Sequence, residues 1–519
     1  MPEEREDTVS RPDVTKDKDA ATPGGPDAPQ GFARDAASAP AAVAPVGETP
    51  AQATSARQAA PADAPAGDPD APHPSTGLTV GVDQKIPAGQ AILLGLQHVL
   101  AMDVYVPPFI IATSLALTGD VSTGLIQSTF LGAGIASLIQ VLFFLRLPVC
   151  QGPSFVPVGA IIGLYAGTQG FNSVFGACLV GAACVILLGL SGLYKRAVHR
   201  FVPPIVSGTV IMIVGLTLLP SAFSSNIFIE GAGLSMGQNV ILACVSACVM
   251  ILFSMLGVYK PQMGKAFRIC SVIIALAAGC LVAWAMGGLD LSSVAAAPLF
   301  SLPHVAFVNY GFAFDPSAIL TMLVIFLVLL AETTGTWYAV SSVIGKPLSD
   351  EQINRGVIGE GIGCFVGAFL GTTPVTGYST NAGIISITGV ASRRVFVCAA
   401  LWFVALSFIG KLSALIMAIP AAVIGGVFAV VCAIIMLNGF RQMKSEPLSE
   451  RQLYIIGVPI AVAVGLLFIP DALVAGAPTL LQYLLDSPIA VSALVAIVLN
   501  KVLPERTAAE ARAQGASGR

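Results

Sequence analysis

Apolar stretches of membrane-spanning length recur along this chain from about residue 88 to residue 500, and they limit its fold more than any other feature. A helix needs roughly 20 apolar residues to cross the hydrocarbon core of a bilayer. Charged residues make up only 11% of the chain and apolar residues 55%, whereas soluble domains carry roughly 25% charged residues. The sequence therefore predicts an all-α polytopic membrane protein.

Fourteen apolar segments can be placed, and the third and tenth are too short to cross as full helices. These two occupy the same position in each half of seven. Because seven is odd, the second half runs with the opposite topology, which predicts two inverted seven-span repeats. The segments lie near residues 88–112, 122–145, 154–168, 172–194, 202–222, 238–258, 268–287, 316–341, 355–370, 379–390, 394–413, 417–438, 453–470 and 478–500.

Basic residues give the predicted orientation. Lys and Arg cluster in every second connection, whereas the intervening connections are nearly free of them, with Lys411 the main exception. The positive-inside rule makes the basic connections cytoplasmic, and both termini with them, in a plasma (inner) membrane. The clusters lie near residues 146, 195–200, 260–268, 346–355, 393–394 and 441–451.

The two ends of the chain differ from this membrane body. Residues 1–80 are acidic and rich in Ala and Pro, with almost no large apolar side chains, which predicts a disordered cytoplasmic tail. No apolar run follows the start, so we expect no cleaved signal peptide. Residues 501–519 are expected to form a short cytoplasmic tail after the transporter body of residues 86–500.

The sequence contains no motif for catalysis or nucleotide binding. Its ten cysteines lie singly in apolar stretches and form no metal-like pair with a nearby histidine. A phosphate-binding loop and a nucleophile with its base are also absent. We therefore expect neither an enzyme, nor a cofactor, nor a nucleic-acid partner. Energy for any transport would come from an ion gradient or from the substrate's own gradient.

Two proline-rich breaks interrupt the apolar pattern. The first, QGPSFVPVGAIIG, covers residues 151–163, and the second, GTTPVTGYSTNAGII, covers residues 371–385. Proline removes backbone donors and keeps the preceding residue out of the helical region, so an extended piece should lead into a short helix beginning near Val158. Two half-helix N-termini with unpaired amides would then face a ligand at the midplane. A packing kink is the alternative for either break alone.

One carboxylate, Glu332, lies in the middle of the apolar segment LVLLAETTGTWYAV. A carboxylate at membrane depth is costly, so it is expected to accept hydrogen bonds from a polar ligand, to carry a proton, or both. The alternative is a structural carboxylate paired across a helix interface. Thr336, four residues later, shares its helix face.

Three other polar residues lie in the predicted spans. His98 could relay protons or orient the site, or it could be a buried neutral histidine. Glu360 is interpreted as neutralising Arg355 near the cytoplasmic end of the ninth span, and Asp103 as lying near the outer end of the first.

Taken together, these motifs resemble those of the nucleobase/ascorbate transporter family, also called nucleobase:cation symporter family 2. The resemblance runs over about residues 86–500 and includes Gln97-His98, GPSFVPVGAI, AETTGTW, NRGVIGEGIGC and, most specifically, PVTGYSTNAGIISITGVASRRV. It implies a core domain (about 86–195 and 316–413) that moves against a gate domain (about 200–290 and 417–500), commonly in a homodimer.

The resemblance also implies roles for individual residues. Glu332 matches the glutamate that binds ring N–H groups of the substrate, and His98 the histidine that supports this site. Asn381 matches the Asn of the tenth-span motif, and Phe155 falls where an aromatic ring packs on the base. Ser379, in the same tenth-span motif, is also expected to bind substrate.

Two positions depart from the family pattern. Thr380 stands where purine and uracil transporters place Gln or Glu, and Thr336 stands where many members have Asp or His. Losing a bidentate amide contact forfeits roughly 1–3 kcal/mol of recognition. These departures leave the substrate class open, and the resemblance implies, as the first choice, import of xanthine, urate or uracil by H⁺ symport. Its alternatives are an ascorbate-like anion with Na⁺ coupling, a sulfate-type anion transporter of the same architecture, and a non-transporting receptor.

Overall fold

The structure is a computed structural model, and it describes residues 78–504 apart from 118, 169, 195–202, 232, 260, 444–448, 471–472, 475, 477–480, 483–484 and 486. Most of each predicted tail lies outside the described residues. So do several of the basic positions used to predict the orientation.

Helices dominate the described chain. In its first half they are α1 (Ala88–Ala101), α2 (Val106–Ser114), α3 (Gly119–Leu138), α4 (Val158–Thr168), α5 (Phe171–Leu190), α6 (Pro204–Thr217), α7 (Leu219–Phe223), α8 (Met236–Tyr259) and α9 (Pro261–Ala285). A π-helical turn, Ile139–Phe143, extends α3.

The second half repeats this plan. Its helices are α10 (Ser292–Ala296), α11 (Ala306–Asn309), α12 (Pro316–Ile344), α13 (Asp350–Leu370), α14 (Thr380–Thr388), α15 (Arg393–Ser407), α16 (Gly410–Ala418), α17 (Ala421–Met443), α18 (Glu450–Leu467) and α19 (Pro488–Val502).

Every predicted span coincides with a helix or a helix pair. Nine helical stretches among the described residues are long and apolar enough to cross a membrane, and three shorter apolar helices match the third, seventh and fourteenth segments. The tenth and eleventh correspond to α14 and α15. The all-α membrane architecture is thus confirmed, whereas the count of fourteen crossings stays a prediction.

Both proline-rich breaks form short strands, and the two strands pair. Strand β1 (Gln151–Pro153) lies antiparallel to β2 (Val375–Gly377), with Gly152 opposite Thr376. Helix α4 begins at Val158, as predicted, and α14 follows β2 after two residues. The strands are completely buried, so their pairing satisfies backbone groups that regular helix would otherwise satisfy at this depth.

The longer helices pack in two sets. Helices α3, α5, α13 and α15 contact one another or the strands, with α1 against α15 and α12 against α5. Helices α8 and α9, α6 and α17, and α18 and α19 pack as pairs, and α17 also contacts α8. The division into a core domain and a gate domain, and their movement against each other, stay predictions.

The chain before α1 also packs on the membrane body. Residues 78–84, which we call the N-terminal strap, run beside the loop between α14 and α15 and form a parallel bridge from Val80 to Val390. The strap and this loop therefore lie on the same side of the membrane.

Candidate substrate site

Hydrogen bonds beyond the ladder lock the two strands together. The Ser154 amide donates to the Pro374 carbonyl at 2.9 Å, and the Tyr378 amide donates to the Cys150 carbonyl at 3.1 Å. The Tyr378 hydroxyl reaches across to the Pro153 carbonyl at 3.0 Å. Pro153 lies in β1 and Pro374 directly precedes β2, so neither carbonyl is used by a helix and both are free to accept these hydrogen bonds. We call this antiparallel pair of β1 and β2 the strand crossing, and these hydrogen bonds fix its geometry.

Glu332 lies beside this crossing. The Ser154 hydroxyl, just after β1, donates to Glu332 Oε2 at 2.7 Å. Ser154 Oγ in turn accepts from the Val156 amide at 3.1 Å. Helix α12, which carries Glu332, contacts both half-helices α4 and α14. One carboxylate oxygen is therefore anchored to the first break, and the helix that carries Glu332 contacts both half-helices.

The backbone amides at the half-helix starts do not match the sequence prediction. Those of Asn381 and Ala382 donate to carbonyls three residues earlier, at 3.2 and 3.1 Å, and that of Val158 donates to Phe155 at 3.3 Å. The expectation of unpaired amides is wrong for these positions, because tight turns satisfy them locally. The exposed groups at the start of α14 are instead the side chains of Ser379 and Thr380.

Asn381 and Thr336 are buried around the second break. Asn381 Oδ1 accepts from the Cys150 amide at 3.0 Å, whereas its Nδ2 is buried without a hydrogen-bond partner among the described residues. Thr336 is only 5% exposed, and its methyl group lies against Gly377. Asn381 thus links both breaks, and its amide nitrogen is the part left for another partner.

Phe155 connects the first break to another helix. Its ring stacks on that of Phe428 of α17, with centroids 5.8 Å apart and planes 18° from parallel. Both rings are buried. Since α17 belongs to the predicted gate domain, this stack is a contact between the two predicted domains.

His98 lies in a different environment. It is 2% exposed, and its ring lies 4.4 Å from that of Phe396 of α15. Its Nδ1 atom has no hydrogen-bond partner among the described residues. The hydrogen bonds of the described chain join Glu332 to Ser154 and not to His98. The site therefore brings Glu332, Phe155, Thr336, Ser379, Thr380 and Asn381 around the crossing, with His98 on the α1–α15 interface.

Glu360 was misplaced by sequence reasoning. Arg355 pairs instead with Glu351, at 3.7 Å, while Glu360 is 1% exposed and accepts from Gln140 Nε2 at 3.0 Å. The sequence interpretation assumed that the nearest basic residue would be the partner, but Arg355 lies one turn from Glu351 on the outer face of α13.

Around Glu360 lies a buried polar cluster that sequence reasoning missed. Gln140 stands in the π-helical turn after α3, a distortion often found at functional sites. The cluster also includes Gln151 of β1 and Thr333, which follows Glu332 and accepts from the Gly377 amide at 3.1 Å. Buried oxygens of Gln140, Gln151 and Glu360 have no hydrogen-bond partner among the described residues. A buried polar region thus adjoins both β1, through Gln151, and Glu332, through the neighbouring Thr333.

Asp103 is also placed differently from the prediction. It stands in the non-helical interval between α1 and α2, inside the stretch Ala88–Ser114 that is long enough to span the membrane, and it is 8% exposed. The outer-end prediction is wrong because the first span is interrupted here. Helix α2 contacts both α4 and α17, so this interval adjoins the same region as Phe155.

An open groove of about 300 Å³ lies away from these residues, between α2, the Gly288–Ser293 region and the start of α17. Its Asp290 carboxylate accepts from the Ser292 amide at 2.8 Å and the Ser292 hydroxyl at 2.9 Å. These hydrogen bonds hold the pKa of Asp290 below its usual range. The groove is lined by none of the predicted site residues.

The permease family profile matches residues 89–472, which covers both breaks and Glu332. The chain belongs to this permease family. It is 31% identical to a putative purine permease of Clostridium perfringens over 82% of this chain and 93% of that protein. It is also 31% identical to the uric acid permease PucJ of Bacillus subtilis (81% and 94% covered) and 30% identical to the xanthine permease XanP of Escherichia coli (82% and 95%).

Solved structures share the fold of this permease. The transmembrane domain of the cyanobacterial bicarbonate transporter BicA aligns with a TM-score of 0.50 at 16% identity, covering 81% of this chain and 99% of that one. The murine Solute Carrier 26 family member A9 anion transporter, in its inward-facing state, aligns with a TM-score of 0.52 at 14% identity, covering 80% and 69%. At such identities the similarity is one of architecture.

Proposed function

We propose that this permease imports a nucleobase of the xanthine, urate or uracil type by proton symport with alternating access. The observation that carries the proposal is the Glu332 carboxylate, anchored by Ser154 at the crossing of two broken spans. Transport of purines by relatives of about 30% identity supports it.

Substrate recognition follows from the chemistry of these side chains. The Glu332 oxygens accept hydrogen bonds from ring N–H groups, and Ser154 fixes the orientation of the carboxylate so that little freedom is lost on binding. Phe155 offers an aromatic face on which a planar base stacks. The hydroxyls of Ser379 and Thr380 reach the carbonyl edge of the base.

Proton coupling uses the same carboxylate. Glu332 carries a negative charge that the low-dielectric membrane interior tolerates poorly, so it exchanges a proton when substrate and solvent access change. His98 supports the coupling from the α1–α15 interface, and the polar cluster around Glu360 provides groups through which a proton passes behind the strands.

Alternating access is proposed to separate the core from the gate. The Phe155–Phe428 stack joins the two predicted domains next to Glu332, so this contact opens as the core moves. We further propose that the protein is a homodimer in the plasma membrane and that both of its termini are cytoplasmic.

Uptake into proteoliposomes tests it. Radiolabelled xanthine, urate, uracil and ascorbate would be offered under an inward proton gradient, under a sodium gradient and without a gradient. We expect accumulation of at least one base with the proton gradient only. Absence of accumulation of any base would refute the proposal.

A hydroxylated organic anion of the ascorbate class, with Na⁺ coupling, is the second candidate. It is favoured by Thr380, whose short exposed hydroxyl replaces the longer carboxamide arm expected for a base. Sodium-dependent uptake of ascorbate in the same panel would identify this alternative.

A further inference from the structure

The N-terminal strap holds the C-terminal end of the half-helix α14. Gly389 ends this helix in a left-handed conformation, with φ at 71°. Its carbonyl accepts from the Thr79 amide at 2.8 Å and the Val80 amide at 3.0 Å, and from the Thr79 hydroxyl at 3.1 Å. Three donors of the strap thus converge on one carbonyl at the end of α14.

The strap continues along the loop toward α15. The Ala391 amide donates to the Val80 carbonyl at 3.0 Å, and the Arg393 amide donates to the Val82 carbonyl at 2.9 Å. This alternation is that of a short parallel ladder, so the strap fixes the loop in direction as well as position.

An ion pair closes the contact. Asp83 of the strap pairs with Arg393, whose other nitrogen Nη1 donates to the Val141 carbonyl in the π-helical turn at 3.4 Å. The Ser392 hydroxyl donates to the Gln84 carbonyl at 2.7 Å. Arg393 therefore ties the strap, the loop and the end of α3 together.

Helix α14 is short, and besides the strap it is held by the Asn381 side chain at the strand crossing and by contacts with α12 and α1. It has nine residues, and Ser379 before it provides no side-chain cap. Helices this short are marginal on their own and depend on packing. At about 1.5 Å per residue, Gly389 and Thr380 are roughly 14 Å apart along the axis. A shift of the strapped end is thus transmitted to the end that bears the site hydroxyls.

We infer that the strap is a positioning element for the substrate site: by fixing Gly389 and Arg393 it sets where Ser379 and Thr380 stand relative to Glu332. This role depends on the proposed function in one respect only, namely that the hydroxyls of Ser379 and Thr380 contact the substrate.

Charge reversal tests the ion pair. Asp83→Arg and Arg393→Asp each place like charges together, and we expect each to raise the KM for the transported base about threefold to fivefold with Vmax per inserted protein little changed, since such pairs contribute up to about 1 kcal/mol. The double variant Asp83→Arg/Arg393→Asp should restore the KM. Arg394→Asp, an equal charge change at the neighbouring exposed position, is the matched control and should leave the KM unchanged.

Hydrogen exchange on the full-length protein in nanodiscs tests the strap without substrate. Peptides covering residues 380–393 should exchange faster in each single charge reversal than in the wild type or the double variant. A protein lacking residues 1–84 should show the same increase, whereas one lacking residues 1–77, which keeps the strap, should not.

The two proposals fail separately. Unchanged exchange and unchanged KM in both single reversals would refute the positioning role, as would a double variant as impaired as the singles. If the wild type transports no base while exchange responds as described, the proposed substrate is wrong and the strap's hold on α14 stands.

Discussion

At the scale of single residues, the unusual feature is the carboxylate of Glu332, which receives a hydrogen bond from the protein on one of its two oxygens. Ser154 engages one oxygen of Glu332, and Glu332 itself is neither fully buried nor fully exposed. A structural carboxylate would be expected to have all its lone pairs satisfied within the protein, because unpaired buried charge is costly. The carboxylate lone pairs of Glu332 that Ser154 does not engage are those that a ligand or a proton would use.

Replacing Glu332 tests this capacity. Glu332→Gln removes the charge and the proton site while preserving shape, so we expect accumulation to be abolished and substrate affinity to fall about tenfold or more, the cost of a charged hydrogen bond. Uptake and equilibrium binding measure these effects. Glu351→Gln, an exposed change on α13, is the control, and wild-type accumulation by Glu332→Gln would contradict the assignment.

Thr380 is the residue at which selectivity should change. Its side chain is exposed at the start of α14, so a longer arm can be accommodated. Thr380→Gln should shift preference toward xanthine or uracil by about tenfold, equivalent to 1.4 kcal/mol. Competition assays with a panel of unlabelled bases report the ranking. If the native substrate is a hydroxylated anion, the same variant should lose its uptake; an unchanged ranking and affinity would place Thr380 outside the site.

At the scale of elements, the crossing of β1 and β2 organises everything near the site. The sequence predicted both breaks and the start of α4 at Val158, because proline imposes strong local limits on the backbone. It could not predict that the breaks pair as strands, since pairing partners far apart in sequence leave no local pattern. The partnership of Ser154 with Glu332 and the Gln140–Glu360 cluster were missed for the same reason.

Glycine at position 152 is required for this crossing. A Cβ placed there would lie 2.6 Å from the ring of Tyr378, which its own hydroxyl holds on Pro153. Gly152→Ala should therefore displace the strands at a cost of roughly 1–3 kcal/mol. We expect a lower melting temperature and impaired substrate binding, measured by thermal unfolding in detergent and by ligand-induced stabilisation.

The matched control is Gly383→Ala. Gly383 lies on α14, where an added Cβ meets nothing within 4 Å, so this variant should be stable and active. Equal behaviour of the two variants would show that the strand crossing tolerates displacement.

At the scale of the whole molecule, the chain combines a compact membrane body with an acidic, apolar-poor N-terminal region. Residues 1–77 contain too few large apolar side chains to bury a core of their own. Among the described residues, Thr79 and Val80 of the strap are the earliest in the chain that hydrogen-bond to the rest of the body. We therefore expect the part of the chain that is needed for transport to begin at the strap rather than at α1.

Removing residues 1–77 should leave transport intact. We expect unchanged KM and Vmax per inserted protein, because this region has too little apolar surface to fold or to pack on the membrane body. Uptake normalised to surface-exposed protein measures this. Loss of uptake by correctly inserted protein would assign the acidic region a direct role in transport.

The pairing of two distant breaks also dictates when the site can be completed during synthesis. Cys150 and Asn381, which hydrogen-bond across the crossing, are 231 residues apart in the chain. At roughly 5–20 residues per second, the ribosome needs about 10–50 s to deliver the second partner after the first. If the first break entered the hydrocarbon during that interval, its backbone groups would be unpaired, which is costly in lipid. Nascent chains stalled before residue 371 should therefore hold this segment in water or against the insertion machinery, and the β1–β2 pair forms only after the second break has been synthesised.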